Sequence, residues 1–186
     1  FDSLPYNLYS QSNFNTDLRT LNLFFFFFFP NNQSKKKKGM EEQFFSVCKY
    51  GIIEEVKRLL DNNPQINLNW QDRDSKTSFY IACENGHINV VKLLLNDERI
   101  DINKSTPIYI ACLYGHIEIV ELLLNDKRTD VNKGDTIGWS PFYLVCHNGH
   151  IEIVKLLLNN KNQRIDFNKP DYNGRTPFCV ACENGH

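Results

Sequence analysis

Residues 106–125 read TPIYIACLYGHIEIVELLLN, and this stretch decides how the whole chain is read. Thr106 is a helix-capping residue, and Pro107 suits a first turn, where its missing N–H costs nothing. Gly115 predicts a left-handed stop for that short helix. His116 then opens a second helix in which six of the eight residues from Ile117 to Leu124 are apolar, leaving Glu118 and Glu121 for solvent. So wide an apolar surface predicts a helix packed between two neighbours rather than one lying on a surface. The same stretch recurs as TSFYIACENGHINVVKLLLN from Thr77, SPFYLVCHNGHIEIVKLLLN from Ser140 and TPFCVACENGH from Thr176. A more worn copy comes first, with Val47, Cys48, Gly51 and Ile52 followed by Val56, Leu59 and Leu60. The four clear copies start 29, 34 and 36 residues apart. Such a period predicts a solenoid whose units bury their apolar faces only against one another.

Between the helix pairs lie Asp130-Val131-Asn132 and Asp166-Phe167-Asn168, followed by Asp135-Thr136-Ile137-Gly138 and Asp171-Tyr172-Asn173-Gly174. These are turn signals between short extended stretches. The full pattern resembles the ankyrin repeat over roughly residues 42–186. The resemblance implies an all-α solenoid of stacked helix–turn–helix units with short β-hairpin fingers, here about four repeats and a truncated fifth. One finger is expected to be absent. Eight steps separate Asn132 from Ser140 and Asn168 from Thr176, but only three separate Asn103 from Thr106. Lys104 and Ser105 alone bridge that junction, so the stack should continue with a gap in its row of fingers.

Cys48, Cys83, Cys112, Cys146 and Cys182 each stand three residues before a glycine, in one slot of five successive copies. Equivalent slots of stacked helices lie about 10 Å apart, beyond the roughly 7 Å that a disulfide spans. They read as buried small hydrophobes, and free thiols in that number point to a reducing, intracellular (cytoplasmic) compartment. His87, His116, His150 and His186 likewise share one slot, which marks framework hydrogen-bonders rather than catalysts. Cys179, Cys182 and His186 have a spacing that could supply zinc ligands, but two of the three are ordinary repeat positions. Tyr80, Tyr109 and Tyr143 stand where the ankyrin pattern has histidine, and a hydroxyl can serve the same linking role. No P-loop, H-E-x-x-H or G-x-S-x-G is present, and no metal or cofactor site is read.

Residues 1–41 differ in composition and are expected to form a low-complexity leader outside the array. Asn, Gln and Ser dominate before a run of six phenylalanines, Phe24 to Phe29, and the four lysines Lys35 to Lys38. The apolar block falls short of the roughly 20 residues of a membrane helix and lacks the flanks of a secretory signal. Phenylalanine insertion beside lysines could touch an anionic surface. Tracts of T and A in a conceptual translation would encode the same runs, and Met40 would then be the start. The chain also stops partway through a repeat, as a fragment of a longer array would. Five basic residues against two acidic ones precede Met40, and the remainder carries a net −4. A mildly acidic array is a poor partner for nucleic-acid backbone.

The resemblance implies a non-catalytic, monomeric scaffold that binds a protein through hairpin tips and the inner helix of each repeat. Matched position by position, the candidates are Arg73, Asp74 and Lys76; Glu84 and Asn85; Leu113 and Tyr114; Thr136, Ile137 and Trp139; His147 and Asn148; and Tyr172, Asn173 and Arg175. These positions vary between copies while the framework slots repeat. The alternative is a targeting module of a larger enzyme, such as a kinase or ubiquitin ligase.

Overall fold

The computed structural model describes residues 33–161 and 164–186. The phenylalanine run of the expected leader lies outside the described residues. Helical backbone begins at Gln33, ahead of the repeat boundary expected at residue 42. In chain order the helices are α1 (Gln33–Lys49), α2 (Ile53–Asn62), α3 (Ser78–Glu84), α4 (Ile88–Leu95), α5 (Pro107–Leu113), α6 (Ile117–Asn125), α7 (Pro141–Asn148), α8 (Ile151–Asn159) and α9 (Pro177–Glu183). From Met40 onward they form one compact unit.

Local chemistry sets each helix pair. Thr77, Ser140 and Thr176 cap α3, α7 and α9 by accepting the amides of Tyr80, Tyr143 and Cys179. At the turn after α5, Gly115 takes φ +73°, and the His116 amide reaches back to Ala111 O at 3.0 Å. That bond closes the Schellman turn expected of a helix ended by glycine. The second helix then starts at once, antiparallel to the first.

Burial follows the repeat. Phe79, Ile108 and Phe142, one slot of α3, α5 and α7, are buried, as are Val90, Val91 and Leu94 of α4 and Ile119, Val120, Leu123 and Leu124 of α6. Ile117, counted in the broad apolar surface of α6, is exposed at the helix start. The first helices α3, α5, α7 and α9 pack more closely on one another than α2, α4, α6 and α8 do.

An asparagine ladder ties the outer loops. Asn69 donates to Arg99 O (2.7 Å) and accepts the Asp101 amide (2.8 Å). Asn103 does the same with Arg128 O (2.7 Å) and Asp130 (2.7 Å), and Asn132 with Arg164 O (2.8 Å) and Asp166 (2.8 Å). The ladder keeps its register across the short junction after Asn103, so the stack continues there.

The short junction alters the helix start that the sequence suggests. Ser105 and Thr106 lie at φ +63° and +56°. Thr106 caps nothing; its hydroxyl instead donates to Ser105 O at 2.8 Å. Removing five finger residues leaves the chain too short to reach α5 in the extended conformation that a capping threonine needs. Left-handed backbone costs a side-chain-bearing residue about 1–2 kcal/mol. Thr106→Gly should therefore stabilise the chain by about 1 kcal/mol, whereas Thr77→Ala, which loses a working cap, should cost about 1 kcal/mol. Thermal and urea unfolding of the two variants check the opposite signs.

Candidate functional site: the finger row and first-helix face

Each finger is a loop closed by one aspartate. Asp72 Oδ1 accepts the amides of Asp74 (3.0 Å) and Lys76 (2.9 Å). Asp135 takes those of Ile137 and Trp139, and Asp171 those of Asn173 and Arg175. Backbone bonds from Asp72, Asp135 and Asp171 to the carbonyls of Lys76, Trp139 and Arg175 complete the loops. Among the described residues, one isolated antiparallel bridge, Gln71 with Thr77, is formed. The fingers are thus hairpins reduced to their turns.

The second oxygen of the finger aspartate reaches the preceding repeat. Tyr109 on α5 donates to Asp135 Oδ2 at 2.8 Å, and Tyr143 on α7 donates to Asp171 Oδ2 at 3.1 Å. The tyrosines therefore keep the linking role that the sequence left open. Their acceptors were not identified from sequence, although the signal was present: Asp72, Asp135 and Asp171 each stand five residues before the Thr or Ser cap. Tyr80, in the same slot of α3, faces no finger of the next repeat. In the first copy Phe45 fills the slot and packs edge-on against Trp70, ring centroids 6.0 Å apart.

Electrostatics follow from these bonds. Burial and the Asp171 carboxylate push the Tyr143 hydroxyl up to about 12. Burial works to raise the Asp171 carboxyl, but the bonds from Arg175, Tyr143 and Asn173 outweigh it and bring the group down to about 2.

The histidines are framework, as their repetition indicates. His87 Nε2 contacts Lys49 O at 2.8 Å, His116 Nε2 contacts Glu84 O at 3.0 Å, and His150 Nε2 contacts Leu113 O at 3.1 Å. Each imidazole so placed lies over the left-handed glycine of the previous repeat. A Cβ added to Gly51 or Gly86 would come within 2.6 or 2.9 Å of that ring.

The candidate contact residues divide into two groups. Lys76 pairs with Glu84 at 2.8 Å, and Arg175 pairs with Asp171 at 2.9 Å. Asn85 binds Ile81 O, and Asn148 contacts the half-buried Leu113 at its carbonyl. Trp139 is half-buried against Tyr143 and His147, with centroids 5.2 and 4.8 Å away. Those side chains shape the surface. Arg73, Asp74, Thr136, Ile137, Tyr172, Asn173 and Tyr114 are exposed. Ile137 is 52% exposed, Tyr114 55% and Tyr172 78%. Tyr172 also links fingers, since its amide points to Ile137 O at 3.4 Å.

All six cysteines are free thiols. Cys48, Cys83 and Cys112 are fully buried, and burial pushes their thiols up; it pushes Cys146 up to about 11. Cys182, expected to be buried with them, is exposed on α9, which no second helix follows among the described residues. Cys179 contacts Glu183 at 3.4 Å. Among the described residues no cluster of three His, Cys, Asp or Glu could hold a metal ion, and no helix is long and apolar enough to cross a membrane.

The family profile for ankyrin repeats matches three times, over residues 17–106, 44–135 and 108–186. The chain belongs to the ankyrin-repeat family. Among curated proteins, a 57-residue stretch is 46% identical to the mouse (Mus musculus) serine/threonine-protein kinase TNNI3K. That stretch is 30% of this chain and 7% of the kinase, so the likeness covers a small part of that protein. Ankyrin repeats are protein-interaction modules and are generally non-catalytic.

Two measurements check this geometry. A carboxyl held below its unfolded value, near 3.9, stabilises the fold above that pH, and the contribution is lost as pH falls through about 2. The melting temperature should therefore fall less between pH 5 and pH 2 in Asp171→Asn, which starts less stable at pH 7. A short alkylation pulse should label the exposed Cys182 first and leave Cys48, Cys83 and Cys112 unmodified until the chain unfolds, because the thiolate is the reactive form. Mass spectrometry reads the order.

Proposed function

We propose that this array is a protein-binding scaffold that engages its partner through the finger tips and the first-helix face. The observation that carries this reading is the exposure of Tyr172, Ile137 and Tyr114 on an otherwise framework-filled side of the stack. Aromatic side chains concentrate binding energy at interfaces, and all three residues stay more than half exposed, although Tyr114 stacks on His116. Arg73, Asp74, Thr136 and Asn173 supply the polar rim, while Trp139, fixed against Tyr143 and His147, gives a rigid floor. Burial of four thiols without disulfides fits a monomer working in a reducing, cytoplasmic setting.

A second reading is favoured by the likeness to a stretch of a serine/threonine kinase. In it the same face selects targets for a larger enzyme. Sequencing the full transcript separates the two, since a catalytic domain in frame with the array supports the second and a stop codon directly after the array overturns it.

Affinity capture with the full chain, followed by titration of the captured protein, tests the proposed face. Tyr172→Ala and Tyr114→Ala should each cost about 1–3 kcal/mol of binding, with the melting temperature unchanged. Glu118→Ala and Glu121→Ala, on the second-helix side, should leave affinity alone; losses from these two and none from the tyrosines would move the site to the other face.

A further inference from the structure

Fingers occur at Asp72–Lys76, Asp135–Trp139 and Asp171–Arg175, and the step between the first two is vacant. Where two fingers are neighbours, two bonds join them to the stack. The Tyr172 amide of the last finger meets Ile137 O of the one before it. The tyrosine on the preceding first helix gives its hydroxyl to the finger's aspartate, Tyr109 to Asp135 and Tyr143 to Asp171. By the same register, a finger between Asp72 and Asp135 would place its aspartate on Tyr80 and its next amide on Asp74 O. The chain supplies only Lys104 and Ser105 there.

What remains is a notch with a defined floor and a spare donor. Ser105 donates to Ser75 O at 2.6 Å, and Gln71 reaches Ser75 O at 2.6 Å, closing the bottom. Tyr80 is half-buried, with the Lys76 ammonium 5.4 Å from its ring centroid, and its hydroxyl makes no hydrogen bond among the described residues. A phenol in that position is a donor without its acceptor, beside a lysine whose charge is already paired with Glu84.

We propose that this notch is a docking site for a turn of a protein partner that carries an aspartate, whose carboxylate accepts the Tyr80 hydroxyl as Asp135 accepts that of Tyr109. The proposal rests on the reading of the finger row as the interaction face and names what one part of it takes. An aspartate-led turn fits better than a lone acidic side chain. One carboxylate oxygen closes the turn on its own amides, as in Asp135 with Ile137 and Trp139, leaving the other for Tyr80. The partner would thereby complete the row with a finger of its own.

The protein's own fourth-repeat finger provides the probe. A head-to-tail cyclic peptide Lys-Gly-Asp-Thr-Ile-Gly-Trp, bearing fluorescein, is titrated with the full chain and followed by anisotropy. Saturable binding is expected, weakened about tenfold by Tyr80→Phe and about tenfold by asparagine in place of the peptide's aspartate, the loss of one hydrogen bond to a charged group. Inserting Gly-Asp-Thr-Ile-Gly after Lys104 fills the notch covalently and should abolish binding. Tyr109→Phe, whose hydroxyl is used internally, should bind the peptide as the parent chain does, and circular dichroism confirms that each variant is folded. No saturation up to about 1 mM peptide, or binding indifferent to Tyr80→Phe and to the insertion, overturns the notch. Tyr172→Ala should not change peptide binding, so a failed notch leaves the wider face standing, whereas a captured partner indifferent to Tyr172→Ala and Tyr114→Ala counts against the face alone.

Discussion

An imidazole laid over a left-handed glycine of the preceding repeat makes each step of this stack, and the other inter-repeat contacts depend on its register. Gly51, Gly86 and Gly115 take φ of +69° to +73°, a conformation that L side chains resist. The space above each is filled by the ring of His87, His116 or His150. The same rings reach the carbonyls of Lys49, Glu84 and Leu113, which are helix-end groups with no intrahelical donor. One residue pair therefore ends a helix, satisfies an orphan carbonyl and sets the height of the next unit. A net contribution of about 1 kcal/mol per bond is small beside the apolar burial. Its value lies in fixing where Phe79, Ile108 and Phe142 meet.

With that height set, two further ladders fall into place on opposite sides. Asn69, Asn103 and Asn132 tie the outer loops, and Tyr109 and Tyr143 tie the fingers through Asp135 and Asp171. The three systems respond differently to the shortened junction. The histidine and asparagine ladders pass through it unbroken. The tyrosine ladder breaks, because its acceptor sits on the very residues that are missing. The local consequence is backbone strain at Ser105 and Thr106, confined to one junction as expected of a quasi-one-dimensional fold in which each unit contacts only its neighbours.

The proposed binding face is drawn from what the ladders leave over. Lys76, Glu84, Trp139 and Arg175 vary between copies, yet they are engaged in ion pairs or ring contacts within the stack. Variation among copies therefore marks two things at once: exposed surface and local adjustments of the scaffold. Tyr114, Ile137 and Tyr172 stay more than half exposed, although Tyr114 stacks on His116 at 6.2 Å, and the proposed binding face rests on that exposure.

The sequence by itself determined the repeat, the helix pairs, the cysteine slot buried in its first four copies and the absence of one finger. These follow from periodicity, caps and glycine, which act over a few residues and so are written in consecutive letters. Only the tertiary structure decided that Tyr109 and Tyr143 bind finger aspartates, that Thr106 loses its cap, and which candidate contact residues remain exposed. The tyrosine bonds join residues 26 and 28 positions apart, and all three outcomes depend on the geometry of stacking. A residue's type announces that it can donate a hydrogen bond; where its acceptor lies, or whether it has one, as for Tyr80, is settled only when the neighbouring repeat is in place.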